Sequence, residues 1–227
     1  MFRLVFTLFF IFILIFLGFL GYSGFIPGVS TFFGSDKPRN LGVKYTQQDL
    51  INAQSKLRQK LLDAPIDANQ KINLEAGPPI DTILTSEEFS AHIERVHPVS
   101  ELQIKLVGSN FEASGKIEKT RIEQFLKTWK LTINNAQVLD LVNKYLPANP
   151  VFYIAGTGSA ENNNIKLTFT KAELGRLPLP TKQLEELAEL YMKVLINQIT
   201  GFKVEKAFIE NNQLYYKGTS VTLIPKY

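Results

Sequence analysis

The sequence predicts an α+β fold, with one long curved antiparallel sheet of hairpins packed on helices and a membrane-spanning helix in front. Three observations carry this expectation. No charged side chain occurs from Leu4 to Ser35. Three later segments alternate apolar and polar residues on either side of a Gly- or Asn-rich turn, the pattern of a β-hairpin. Between them, apolar residues recur at helical spacing behind capping residues.

The leading run holds nine of the chain's 17 Phe residues. About 20 apolar residues in a helix cross a hydrocarbon core of roughly 30 Å, and a helix satisfies its own backbone polar groups in lipid. Residues 1–3 are expected as a cytoplasmic tail and 4–26 as the transmembrane anchor. Arg3 and the free amino terminus supply the positive flank of a signal peptide or an anchor. Cleavage calls for a shorter apolar core and small residues in an A-x-A-like pattern. Here the core runs past Leu17, and Gly21, Ser23 and Gly24 make a poor site, so an uncleaved anchor is expected. Pro27 and Gly28 end the helix.

Lys37, Arg39 and Lys44 outnumber Arg3 across the span, which by count alone places the bulk of the chain inside. A very short leading tail stays inside, however, and long domains translocate largely regardless of charge. The expected topology is single-pass in the cell membrane, amino terminus inside, carboxyl-terminal domain extracytoplasmic.

Beyond Ser35, all but one of the 25 Lys and Arg residues face 21 Asp and Glu. So mild a balance, without a basic stripe interleaved with aromatics, argues against nucleic acid. Cysteine is absent, which excludes disulfides and thiolate sites. That absence and the lack of an N-x-S/T sequon fit a bacterial envelope protein.

Residues 27–45 are expected as a linker and 46–227 as one domain. Thr46 with Asp49 starts a helix carrying Leu50, Ala53, Leu57 and Leu61. A Pro-, Asn- and Asp-rich loop and a short apolar run, Ile80 to Leu84, follow. Thr85 and Glu88 form a capping box before a helix through Ile93. Leu102, Ile104 and Leu106 face Phe111, Ala113 and Ile117 across V-G-S-N in the first hairpin. Residues 119–146 read as helix in two pieces, the first with Phe125, Leu126 and Trp129, the second with Val138, Leu139, Leu141, Val142 and Tyr145. The second hairpin turns at E-N-N-N. After Gly175–Pro180, Thr181 is expected to cap a long helix over 181–199, with Leu184, Leu187, Ala188, Tyr191, Val194, Leu195 and Gln198 on its apolar stripe and Gly201 as its C-cap. A hairpin around N-N-Q completes the chain.

LTSEEFSAHI, then paired strands, then VFYIAGTGSAENNNIKLTFTKAELGRLPLP and a long helix resemble the YpmS-like small membrane-anchored proteins of Gram-positive envelopes. The layout is also similar, in architecture, to tubular lipid-binding (TULIP) domains, where a twisted sheet wraps a long helix around an apolar groove. The first resemblance covers roughly residues 80–200. It implies an envelope location and a fold, and the second implies an apolar groove; neither implies a reaction.

Candidate chemistry is sparse. His92 and His97 are five apart, not the i, i+4 spacing of a shared zinc face, and are expected at the surface or partly buried. Glu87 and Glu88 sit in a first helical turn, where the dipole explains them. Glu185, Glu186 and Glu189 read as a solvated face. Ser159 lacks the G-x-S-x-G context of a nucleophile elbow. No catalytic residue, metal or cofactor is expected, and the chain reads as a non-enzyme. The expected function is binding of a lipid or other apolar ligand between sheet and long helix, with Leu184, Leu187, Tyr191 and Leu195 lining the groove. Arg176 would stand at its mouth, and Gly175, Pro178 and Pro180 would form a structural break. The alternative is an envelope scaffold that docks a protein partner.

Overall fold

The computed structural model describes residues 2–26, 28–62, 75–128 and 149–226. Its helices are α1 (Phe2–Tyr22), α2 (Val29–Phe33), α3 (Gln47–Leu57), α4 (Ser86–Val96), α5 (Lys119–Thr128) and α6 (Thr181–Gln198). Its strands are β1 (Lys60–Leu62), β2 (Ala76–Leu84), β3 (Val99–Val107), β4 (Asn110–Ile117), β5 (Val151–Glu161), β6 (Asn164–Leu174), β7 (Leu177–Pro178), β8 (Val204–Glu210), β9 (Gln213–Val221) and β10 (Leu223–Pro225). The fold is α+β, built on a long antiparallel sheet. Trp129 and the second half of the expected 119–146 helix lie outside the described residues.

The hairpins follow from their turns. Asn162–Asn163 and Asn211–Asn212 join β5 to β6 and β8 to β9, with φ between 50° and 64° at all four residues. Asparagine tolerates that left-handed geometry, which matches the twist of the flanking strands. β5 organises the eight-stranded sheet: β6 pairs along one edge, while β4 and β8 lie end to end along the other. β3 extends the first arm, and β9 and β2 the second. The arms meet again at their tips, where the Gly108 amide donates to Asn212 Oδ1 at 2.7 Å. The sheet thus curls around a hollow. Gly156 permits the bulge in β5, because a Cβ there would sit 2.1 Å from the Thr168 carbonyl oxygen of β6.

α4 fills the concave face. Thr85 and Glu88 form the expected capping box, the Thr85 amide donating to Glu88 at 2.9 Å. Phe89 and Ile93 pack on Leu102, Ile104, Leu106 and Ala113. Ser90 takes the Ile104 amide at 2.8 Å. Val96, Phe125, Leu126, Ile199, Val221 and Ile224 form a second cluster.

Within the expected linker, residues 39–43 form a bound strap. Arg39 pairs with Glu173 and stacks 4.2 Å above Tyr153, while its amide donates to Ser114 Oγ at 2.9 Å. The Leu41 and Val43 amides share Gln103 Oε1 at 2.9 and 3.3 Å. Gln103, Ser114, Tyr153 and Glu173 are successive cross-strand partners in β3, β4, β5 and β6. Residues 39–43 therefore cross four strands on the face opposite α4. The sequence R-N-L-G-V carries no helical or strand periodicity there, and the strap's partners are distant in the chain.

The N-terminal helix is present, and Phe10, Phe12, Ile15, Phe16 and Phe19 are each more than half exposed. Among the described residues, no helix is long and apolar enough to cross a membrane, so the span expected over 4–26 rests on the sequence. α1 ends at Tyr22 and doubles back into α2, with Ser35 Oγ donating to the Gly21 carbonyl at 2.8 Å. This helical corner docks on the β6–β7 turn: the Arg176 amide donates to the Ser23 carbonyl at 3.2 Å. A Cβ on Gly175, whose φ is 62°, would fall 1.8 Å from that Ser23 oxygen.

Candidate functional site

The hollow of the sheet is an apolar groove of about 360 Å³, within the roughly 300–1,000 Å³ of small-molecule sites. Its walls come from every strand around β5: Phe111 and Ala113 from β4, Ile154 from β5, Ile165 and Leu167 from β6, Phe208 and Ile209 from β8 and Leu214 from β9. Phe89 and Ile93 of α4 and Met192 of α6 roof it. The splayed arms create it, since β4 and β8 leave β5 in different directions and their side chains cannot close the space between them.

A second chamber of about 180 Å³ adjoins it through Phe89, Ile93, Leu214 and Tyr216. Gln59, His92 and Ser220 give this chamber a polar corner. His92 is 7% exposed, and burial, with a smaller push from nearby His97, lowers its pKa to about 4. Burial also lowers His97 to about 4, partly opposed by the Ile93 carbonyl. Its ring lies 5.7 Å from Phe125 and 6.5 Å from Tyr191. Both histidines are thus neutral: His97 is partly buried, within the surface or partly buried range expected, whereas His92 is interior. Burial raises the Tyr216 hydroxyl too, and that group donates to the Thr219 carbonyl at 2.5 Å.

α6 meets the sheet on a different face from the expected stripe. Leu187 is 60% exposed. Leu184 is half-buried and, like Leu187, does not line the groove. Tyr191 and Leu195 pack on the cluster around Phe125 and Ile199. The helix instead turns Glu185, Glu189, Met192 and Ile196 inward. Glu185 accepts the Phe169 amide at 2.6 Å, and Glu189 accepts the Leu167 amide at 3.2 Å. These two carboxylates are therefore not a solvated face; they satisfy the free edge of β6. The i, i+4, i+7, i+11 spacing of these four residues was the signal, obscured because two of them are acidic. The helix also starts without a side-chain cap, Pro180 occupying the position before Thr181, and it ends at Gln198, three residues before Gly201.

Arg176 lies away from the groove, its guanidinium donating to the Gly34 carbonyl at 3.4 Å. Gly175 makes the docking turn, Pro178 pairs with Glu173, and Pro180 leads into α6. Glu88 is 5% exposed, held by the Thr85 amide and by Lys56 at 2.7 Å, so it staples α4 to α3. Among the described residues, no cluster of three His, Cys, Asp or Glu side chains could hold a metal. What the groove offers is shape and an apolar wall.

No family model, curated protein or solved structure matches the chain, so the resemblances to YpmS-like and TULIP proteins gain no support.

Proposed function

We propose that the chain is a membrane-tethered, non-enzymatic domain that holds a lipid or other apolar ligand in the groove between its sheet and its helices. The apolar groove itself carries this reading: a hollow of about 360 Å³ is walled chiefly by apolar side chains, most of them Ile, Leu, Phe and Met. The tether is α1, whose exposed aromatic and aliphatic side chains suit lipid rather than water. Its outward topology follows the sequence argument above.

The groove extends away from that tether. Val151 accepts the Gly175 amide beside the docked helical corner, and the groove-lining residues of β5 run from Ile154, roughly 10 Å further along the strand, to Ala160, roughly 30 Å along it at about 3.3 Å per residue.

Native mass spectrometry of the full chain, released from lipid nanodiscs, tests the reading. One retained lipid per chain is expected. A chain that flies bare under conditions that preserve its fold overturns it.

A second reading, an envelope scaffold that docks a protein, draws on Leu187 and Leu190, which are 60% and 59% exposed one helical turn apart on α6. In-cell crosslinking from position 187 would trap one dominant partner if that reading holds.

A further inference from the structure

We infer that the groove selects a lipid whose polar end is an uncharged hydroxyl, seated in the smaller chamber against Gln59 and His92. This rests on the ligand-binding reading above and narrows it to a ligand class. The larger chamber offers a chain almost nothing but carbon. The smaller one is lined by Gln59 and His92, whose buried atoms Gln59 Oε1 and His92 Nδ1 have no hydrogen-bond partner among the described residues. Gln59 is held in place by its own amide nitrogen, which donates to Ser220 Oγ at 2.7 Å. An unpaired buried polar atom is costly, and a ligand group that pairs with it recovers that cost.

Charge narrows the choice. Among the described residues, no Lys, Arg, Asp or Glu lines either chamber. A carboxylate or phosphate would lose its hydration there without a counter-ion. The His92 ring, only 7% exposed, is uncharged at neutral pH, with one nitrogen a donor and the other an acceptor. A hydroxyl both donates and accepts, so it suits an amide oxygen and a neutral imidazole together. Long-chain alcohols and acylglycerols have such an end; phospholipids and ionised fatty acids do not.

The test uses the full chain in phosphatidylcholine nanodiscs at pH 8, with photoactivatable analogues of hexadecane, hexadecanol and hexadecanoate, and peptide mapping of the labelled sites. Hexadecanol is expected to label the β5 and β8 peptides about tenfold more than either other probe, equivalent to about 1.4 kcal/mol. His92→Leu or Gln59→Leu should lower hexadecanol to the hexadecane level and leave hexadecane labelling as it was. Equal labelling by all three probes, or preference for hexadecanoate, overturns the hydroxyl subsite while the apolar-ligand reading stands. Absence of groove labelling by every probe removes both. The wild-type ratios decide the matter even if a variant fails to fold.

Discussion

Glu185 of the long helix accepts the backbone amide of Phe169, in the edge strand, at 2.6 Å. Together with Glu189 on Leu167, it makes α6 a cover for an edge that would otherwise present free amides. Replacing both glutamates with alanine is expected to cost about 1 kcal/mol for each half-exposed bond. Amide exchange at Phe169 and Leu167 should accelerate at least tenfold, with amides at the Val151 end of β5 unchanged. Glu185→Gln keeps an acceptor and should show a smaller effect. Unaltered exchange in the double variant would mean that packing alone holds the helix.

Gly175 allows the α1–α2 corner to sit on the sheet. Gly175→Ala places a methyl group 1.8 Å from the Ser23 carbonyl oxygen at a φ of 62°, so the corner must lift away. The expected loss is about 1–3 kcal/mol, read as a lower melting temperature and faster proteolysis between Gly24 and Arg39. Gly34→Ala is the control: its φ is 63°, but its Cβ would meet nothing within 4 Å. Its effect should be the smaller.

The buried histidines make stability depend on pH. Both titrate near 4 in the folded chain and near 6.5 when unfolded. Between those values the unfolded chain binds more protons. Stability is therefore full above about pH 6.5 and falls as pH drops toward 4, by up to about 1.4 kcal/mol per unit for each histidine. Burial pushes Glu173 upward, but hydrogen bonds from Lys171 and Arg39 outweigh it and hold that carboxyl below its usual range. Its contribution is present above the ordinary carboxylate value of 4.5 and is lost as pH falls below that, so it adds to the histidine effect only at the bottom of the histidine window. Urea denaturation at pH 7.5, 6 and 5 checks this, and His97→Gln should flatten the slope. A curve level from 7.5 to 5 would contradict it.

Filling the groove separates binding from folding. Ala160 lines the hollow, and Ala160→Leu occupies space that a ligand needs. Retained lipid should fall more than tenfold in native mass spectrometry, while the unfolding free energy changes by about 1 kcal/mol or less, since the added carbons enter a void. Undiminished lipid in this variant would place the ligand elsewhere.

The chain's local chemistry determined much by itself. Thr85 with Glu88, the Asn162–Asn163 and Asn211–Asn212 turns, and the alternation from Leu102 to Ile117 each act within a few residues, so each is readable in one dimension. The apolar run after Arg3 likewise dictates a helix. What required the tertiary structure involves partners far apart in sequence. Arg39 finds Glu173 across 134 residues, and Gln59 finds Ser220 across 161. His92 becomes interior only because α4 packs into the sheet. The face of α6 is set by amides of β6 that need acceptors, not by the leucines on its own stripe, so Met192 roofs the groove while Leu187 faces outward. The hollow exists because β4 and β8 share one edge of β5 and diverge, a consequence of strand pairing that no local pattern encodes.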